Sequence, residues 1–310
     1  MKNGLISLII LFLMISNSYA EGLEKVEEKS SIEEIKKYSL SSFDLPLNEL
    51  LDKKYDSPID AILSEFSSSI SFNYPIKEST PDLGQGINTQ GRISNNLSVS
   101  ASLSFHPISY WFFSTTYYKY INSYLQAPWN PDFSYTFGYS DWHPYTFGLT
   151  YANYGGNRLF PDLKKNEVFT DFLGGGFTLD WKFTIPKFFE DLFIVHESGG
   201  VGGNISYTIV PKYFELTTLE TKNWKNSIKL SLKYTIYDWF YINGTFFYYP
   251  FPEQQQPWDP DFTYGFGFFD WHPNTISIQY NNYSGNRYPW NKKIGSGGFE
   301  NGGFSVSFSL

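Results

Sequence analysis

The chain has no cysteine, and this absence excludes two classes of function. Without thiols there is neither a cysteine nucleophile nor a cysteine-bound metal. Beyond residues 4–15 there is also no apolar run near the roughly 20 residues that a membrane-spanning helix needs. Basic residues are outnumbered, and the formal net charge of -8 argues against a general nucleic-acid binder.

The first twenty residues are typical of a secretory signal peptide. Lys2 precedes the short apolar run over 4–15, and the small residues Ser18 and Ala20 suit a cleavage site after Ala20. A permanent membrane anchor is the alternative, but the apolar run is too short to span a bilayer. The mature chain is therefore expected to be periplasmic, secreted or a membrane barrel.

Aromatic residues are abundant at 21%, yet the mean hydropathy is only -0.32. Membrane barrels combine these two properties because rings cover the lipid face and form girdles at both interfaces, while every second residue stays polar. From about residue 67 onward, ring or aliphatic residues alternate with small polar ones, as they do over 97–105 and 304–310. A soluble sandwich would also alternate, but the aromatic character of the apolar face favours the membrane.

About twelve segments show this alternation, and an even number is what bacterial single-chain barrels have. They lie near 67–76, 95–106, 110–121, 131–141, 145–155, 173–186, 201–212, 224–237, 239–250, 261–270, 274–284 and 301–310.

The last of these segments, Gly303-Phe-Ser-Val-Ser-Phe-Ser-Leu310, ends the chain on an apolar residue. It resembles the terminal strand of outer-membrane β-barrel proteins, which the barrel-assembly machinery recognises. The resemblance covers about 67–310. It implies a closed antiparallel transmembrane β-barrel in contact with the lipids of a Gram-negative outer membrane.

Residues 128–158 and 257–287 repeat one another at an offset of 129, with 19 of 31 positions identical. Each copy would contribute six strands, in halves of about 67–186 and 201–310. The predicted fold class is therefore all-β, a barrel of about 12 strands built from two duplicated halves. Long loops at 77–94, 122–130, 156–172, 213–223, 251–260 and 285–300 would lie outside the cell.

Residues 21–66 are charged and have little β pattern. Ser57, Pro58 and Asp60 predict the start of a short helix over about 58–66, and 23–38 could form an amphipathic helix. This N-terminal extension could plug the pore, lie under it, dock onto a periplasmic partner or be a solvated linker.

The repeated Asp-Trp-His-Pro sequences at 141–144 and 270–273 hold two of the four histidines. An acid beside a histidine suits proton transfer or a metal, but Asp and Pro also form turns, which is the favoured interpretation. His106 and His196 are expected on the same, periplasmic side. Outer-membrane phospholipases and some lipid A deacylases resemble the chain as barrels, but they use a histidine–serine pair at the outer leaflet. We therefore expect no catalytic residue, cofactor or metal.

Two sets of residues are candidates for contact with a solute. A tryptophan ring can stack on a sugar, while amides, carboxylates and guanidinium groups bind hydroxyls; alternatively, the loop residues brace the rim. Matched halves would separate the two loop aspartates by more than the roughly 5–9.5 Å of a glycosidase pair. The loop set is Trp129, Asp132, Asn157, Arg158, Trp258, Asp261, Asn286 and Arg287. The lumen set is Asp180, Lys182, Lys229, Lys233 and Tyr241.

Three functions stay open. The first is a narrow, weakly selective pore for polar solutes, above all saccharides, because small neutral residues would line a barrel of intermediate width. The second is a non-conducting partner in exopolysaccharide or envelope assembly that docks through 21–66. The third, an envelope lipid or glycan hydrolase, is disfavoured.

Overall fold

A computed structural model describes most of the region that carries the alternating pattern. The described residues are 65–77, 96–123, 126, 130–162, 167–184, 200–215, 218–237, 239–270, 274–283, 285–293 and 297–310. The expected signal peptide and nearly all of the N-terminal extension lie outside them. At the end of the helix expected over 58–66, Phe66 already belongs to a strand.

Twelve antiparallel strands form the wall of a closed barrel. They are β1 (Phe66–Pro75), β2 (Ser98–Ile108), β3 (Trp111–Tyr120), β4 (Phe133–Ser140), β5 (Phe147–Asn153), β6 (Gly176–Thr184), β7 (Gly200–Glu215), β8 (Glu220–Tyr237), β9 (Phe240–Tyr248), β10 (Phe262–Phe268), β11 (Ile276–Asn282) and β12 (Gly303–Ser309). Short 3-10 turns cover Phe172–Gly174, Pro252–Gln254 and Phe299–Asn301.

Each strand pairs with its neighbours in the sequence, and β1 also pairs with β12 through the register Ser69↔Ser309 to Pro75↔Gly303. This last pairing closes the sheet, so the wall has no free edge. The prediction of an all-β, closed antiparallel barrel of twelve strands is confirmed. None of the helical segments in the described part of the chain is long and apolar enough to cross a membrane.

Connections of two kinds define two ends of the barrel. At the turn end, strands are joined by 109–110, 141–146, 185–199, 238–239 and 269–275. At the loop end, they are joined by 76–97, 121–132, 154–175, 216–219, 249–261 and 283–302. Five of the six connections at the loop end are long, as the sequence predicts; the exceptions to the rule are the short connection 216–219 at this end and the long connection 185–199 at the turn end.

The connection expected as a loop over 213–223 differs from the prediction. Strands β7 and β8 continue as a hairpin as far as the pair Glu215↔Glu220. The neighbouring strands leave this hairpin near Ile209 and Ile228, so its outer part stands clear of the wall. Lys222 pairs with Glu215 near the tip, and Lys225 pairs with Asp259 of the β9–β10 loop.

The two faces of the wall differ in character because successive side chains in a strand point to opposite sides. On the lumen side, Ser104 donates to Ser114 at 2.8 Å, and Ser102 shares a hydrogen bond with Thr116 at 2.8 Å. The opposite face carries exposed apolar and aromatic side chains. They include Phe72, Trp111, Phe113, Phe147, Leu149, Leu179, Ile205, Phe240, Ile242, Tyr248, Ile276, Ile278, Val306 and Phe308.

Two glycines on the lumen face sit where strands approach too closely for a side chain. A Cβ on Gly138 would lie 2.2 Å from the carbonyl oxygen of Leu149, and Gly138 has a φ of 149°. A Cβ on Gly267 would lie 2.3 Å from the carbonyl oxygen of Ile278. These positions are equivalent in the two sequence repeats, and a glycine within a strand marks such a close approach.

We expect Gly138→Ala to destabilise the folded barrel by about 1–3 kcal/mol, because the new methyl group meets backbone and cannot relieve the clash by rotation. Urea unfolding in detergent micelles measures the change. Gly244→Ala is the matched control, since the nearest atom to its Cβ would be 3.7 Å away. Equal stability of the two variants would show that the close approach at Gly138 carries no such cost.

Candidate functional site

A buried hydrogen-bond network ties the β3–β4 loop to the β5–β6 loop. The Asn157 side-chain amide donates to the Phe133 carbonyl and to the Asn153 Oδ1 atom, each at 3.0 Å. The Asn157 carbonyl accepts from the Asp132 backbone N–H at 2.8 Å. Arg158 donates to a backbone carbonyl of the β3–β4 loop and lies 3.5 Å from the Asp132 carboxylate. We call this network, made by Asp132, Asn153, Asn157 and Arg158, the first loop clamp.

The same network recurs in the second sequence repeat. The Asn286 side-chain amide donates to the Phe262 carbonyl at 3.0 Å and to Asn282 Oδ1 at 3.1 Å. The Asn286 carbonyl accepts from the Asp261 backbone N–H at 2.8 Å, and the Arg287 guanidinium lies 3.7 Å from the Asp261 carboxylate. Asp261, Asn282, Asn286 and Arg287 form the second loop clamp.

The carboxylate of Asp261 is saturated within the second loop clamp. It accepts from the Gln255 side chain at 2.6 Å, from the Asn291 side chain at 2.9 Å and from the Tyr288 backbone N–H at 2.8 Å. Beside it, the Tyr249 hydroxyl donates to a loop carbonyl at 3.1 Å. Burial, reinforced by the nearby Asp259, raises the pKa of Tyr249, so this donor stays protonated.

Each loop clamp continues onto the outward face of the barrel. Tyr151 and Tyr280 point outward but are only 1% exposed, because a 3-10 turn folds back over each ring. Tyr151 stacks on Phe172 with centroids 4.4 Å apart, and Tyr280 stacks on Phe299 at 4.5 Å. The turns also bury the outward-facing Asn153 and its repeat equivalent, whose amides donate to turn carbonyls at 2.7 Å.

These networks show how the predicted loop residues are placed. Asp132, Asn157, Arg158, Asp261, Asn286 and Arg287 make the contacts of a rim brace. Trp258 keeps 38% of its surface exposed, and Trp129 lies outside the described residues. Asp132 and Asp261 precede β4 and β10, which are six positions apart in a ring of twelve strands. Direct contact of this set with a solute stays a prediction.

The Asp-Trp-His-Pro sequence at 141–144 forms a turn at the turn end. Asp141 Oδ1 accepts from the His143 backbone N–H at 2.9 Å and lies 2.6 Å from its Nδ1 atom. The Tyr110 hydroxyl is 3.3 Å from the same ring nitrogen, and Trp142 is stacked on the ring and exposed. The repeat equivalent of His143 lies outside the described residues, among which no cluster of His, Cys, Asp and Glu could hold a metal.

All five predicted lumen residues stand on inward-facing positions of β6, β8 and β9. Lys182 lies 3.8 Å from Asp180, and Lys229 interacts electrostatically with the same carboxylate. The Lys233 ammonium lies 4.6 Å from the ring centroid of Tyr241, close enough for a cation–π contact. The structure thus brings Lys182 and Lys229 near Asp180 and places Lys233 over Tyr241, whereas it divides the loop set between two clamps.

The lumen holds two cavities. One of about 510 Å³ lies toward the loop end, where Ser100, Asn73 and Tyr118 are among the lining residues. The other, of about 600 Å³, lies toward the turn end and includes Lys233 and Asn243 in its lining. Both volumes are within the roughly 300–1,000 Å³ of ligand-binding pockets. The alternation in the sequence predicts that polar side chains line the lumen. It does not predict which of these side chains come close to one another.

We expect Asn286→Ala to loosen the second loop clamp and leave the barrel folded. It removes two buried hydrogen bonds and leaves their partners unsatisfied, so opening of the 283–302 loop should become easier by about 1–3 kcal/mol. Hydrogen–deuterium exchange of the loop amides measures the change. Lys292→Ala alters an exposed side chain of the same loop and should leave exchange unchanged; equal protection in both variants would contradict the clamp.

No protein-family model matches the chain, and no curated protein matches it significantly.

Proposed function

We propose that the chain forms a narrow, weakly selective pore for polar solutes, saccharides foremost, in a Gram-negative outer membrane. One observation carries the proposal: a closed wall presents apolar and aromatic side chains on one face and small hydroxylated side chains on the other. The apolar face suits contact with a bilayer, and the hydroxylated face suits a water-filled path. The signal-peptide pattern in the sequence agrees with export to that membrane.

The width of the proposed path follows from how the inward hydroxyls are satisfied. Ser71 donates to Ser307 at 2.8 Å, and Ser231 shares a hydrogen bond with Thr245 at 2.9 Å. Cross-strand pairs of this kind keep short side chains against the wall. They leave room for the two lumen cavities, although inward rings such as Tyr118 and Tyr241 occupy part of the lumen.

We also propose that the loop end faces outside the cell and that the two halves arose by duplication. Long loops on the outer side and short turns on the periplasmic side are the rule for bacterial barrels. The repeated sequence and the two loop clamps, which use equivalent residues, support a shared origin of the halves.

The lumen charges predict a mild preference for anions. Along the described part of the wall, the inward charges are Asp180 and the three lysines Lys182, Lys229 and Lys233. The inward residues of the wall therefore carry a net positive charge, although the whole chain has a net charge of -8. The charges gather on β6 and β8, so they form no ring around the lumen and should select weakly.

Conductance tests the pore directly. We expect the full mature chain to form channels in a planar bilayer, and Ser102→Trp to lower the single-channel conductance by half or more because an indole would enter the path. Leu103→Trp is the matched control, since its neighbouring position faces outward and the substitution should leave conductance unchanged. A folded protein that never conducts, even after deletion of residues 21–66, would contradict a pore through this lumen, as would equal conductance in both variants.

Ion selectivity tests the charge asymmetry. In a salt gradient the reversal potential should show a small excess of anion over cation permeability. Lys233→Gln should move the permeability ratio toward one by removing one of the three positive charges. Lys119→Gln, which changes an exposed outward-facing lysine near the rim, should leave the ratio as it is. A cation preference in the unaltered protein would refute this charge assignment.

A further inference from the structure

The charged residues of the described lumen wall all lie on one side of the barrel. They stand on β6 and β8, and the strand registers match each of them to a serine in the other half, six strands away in the ring. Asp180, Lys182, Lys229 and Lys233 correspond in this order to Ser307, Ser309, Ser100 and Ser104. The lumen therefore has a charged side and, opposite to it, a side of serines.

One of the four charges on the charged side stays apart from the others. Lys182 lies 3.8 Å from Asp180, and Lys229 interacts electrostatically with the same carboxylate. Lys233, whose side chain is exposed, makes no hydrogen bond and no ion pair with the residues that the structure describes. Its positive charge is therefore not neutralised by the described part of the wall.

Two aromatic rings fix the position of this ammonium group. It lies 4.6 Å from the ring centroid of Tyr241 and 5.7 Å from that of Phe269. Contact with the face of a ring orients a cation without cancelling its charge. An ammonium group has three N–H donors and no acceptor, so Lys233 remains able to bind an anion.

The Lys233 side chain borders open space. Gly202 is paired in register with it, and a Cβ on Gly202 would have its nearest neighbour, the Phe183 carbonyl oxygen, at 3.7 Å. A Cβ on Gly200 would have no atom within 4 Å. Both glycines and Lys233 line the turn-end cavity of about 600 Å³. A small solute therefore has room beside the ammonium group.

The rest of the cavity lining supplies neutral polar groups. Among the described residues, Lys233 is the one cation of the lining, and no carboxylate belongs to it. Hydroxyl and amide groups can donate and accept, so they suit the hydroxyl groups of a solute. The groups of this kind include Thr184, Asn204, Ser231 and Thr245. One unpaired cation among several hydroxyls matches a solute with one negative charge and several hydroxyl groups.

We propose that Lys233 and the turn-end cavity form a binding site for a sugar acid, a small hydroxylated solute that carries one carboxylate. The carboxylate would accept from the Lys233 ammonium group, and the solute hydroxyls would bond to Asn204, Ser231 and Thr245. A phosphate ester fits less well, because it carries nearly two negative charges at neutral pH and meets only one unpaired cation here. This inference rests on the proposed function as a pore and narrows the class of solute.

Equilibrium binding tests the site without requiring conduction. The full mature chain in detergent is titrated with D-glucuronate and with D-glucose, which has a hydroxymethyl group in place of the carboxylate, and binding is followed by saturation-transfer NMR. Glucuronate should bind about tenfold more tightly than glucose, and Lys233→Gln should remove this advantage. Lys233→Arg keeps the charge and should keep the binding, as should Lys119→Gln, which changes a lysine outside the lumen.

Filling the cavity gives a second readout that leaves the ammonium group in place. Gly202→Val puts a side chain into the open space beside Lys233 and should weaken glucuronate binding about tenfold or more. Gly244→Val is the matched control, because Gly244 lies on the outward face of β9 and the nearest atom to its Cβ would also be 3.7 Å away. If either valine variant fails to fold, the Lys233 variants still decide.

The possible outcomes separate the site from the pore. Equal affinities for glucuronate and glucose overturn the site, as does undiminished binding in Lys233→Gln. Acetate or glucose 6-phosphate that binds as tightly as glucuronate overturns the assignment to a sugar acid. Conduction without saturable binding of glucuronate overturns the site and leaves the pore intact, whereas Lys233-dependent binding to a protein that never conducts supports the site and contradicts the pore.

Discussion

The pairing of β1 with β12 is the constraint on which the rest of the structure depends. An open sheet with this sequence would expose two edges and could not keep apolar residues on one face only, because both faces would be free to associate. Closure converts the period-two alternation into an outside and an inside. The paired serines and the lumen lysines lie on the inside, and the exposed apolar and aromatic side chains lie on the outside. An apolar outer face of this kind is compatible with lipid.

The loop clamps satisfy the hydrogen bonds of polar side chains that closure places on the outward face near the rim. Asn153 and Asn282 fall on outward positions, where an unpaired amide among apolar side chains would cost several kcal/mol. The 3-10 turns fold over these residues, accept their hydrogen bonds and present Phe172 and Phe299 to the outside instead. The clamps thus extend the apolar surface past the ends of the shortest strands and fix the loops that border the lumen mouth.

The fold could be predicted from the sequence because the alternation of apolar and polar residues is a local property of each strand. The number of alternating segments then gives the number of strands. The hairpin beyond Ile209 was missed because its polar residues resemble a loop, and its pairing is decided by the partner strand. The placement of two amides beside Gly265 could not be predicted, since Asn243 and Asn281 become neighbours only through the register of three strands. A glycine flanked across two strands by amides has no signature in the linear sequence.

The two halves of the barrel are alike at the rim and differ inside the lumen. Residues that hold the rim are the same in both repeats, as Asn157 and Asn286 show, because each half must brace its own loops. Residues that face the centre of the lumen have diverged, as Thr136 and Gly265 show. A side chain at Gly265 would meet the amide oxygens of Asn243 and Asn281 on the neighbouring strands, whereas Thr136 stands between Ser114 and Ala152, whose side chains are small, so the threonine and the glycine each follow from their neighbours in the row.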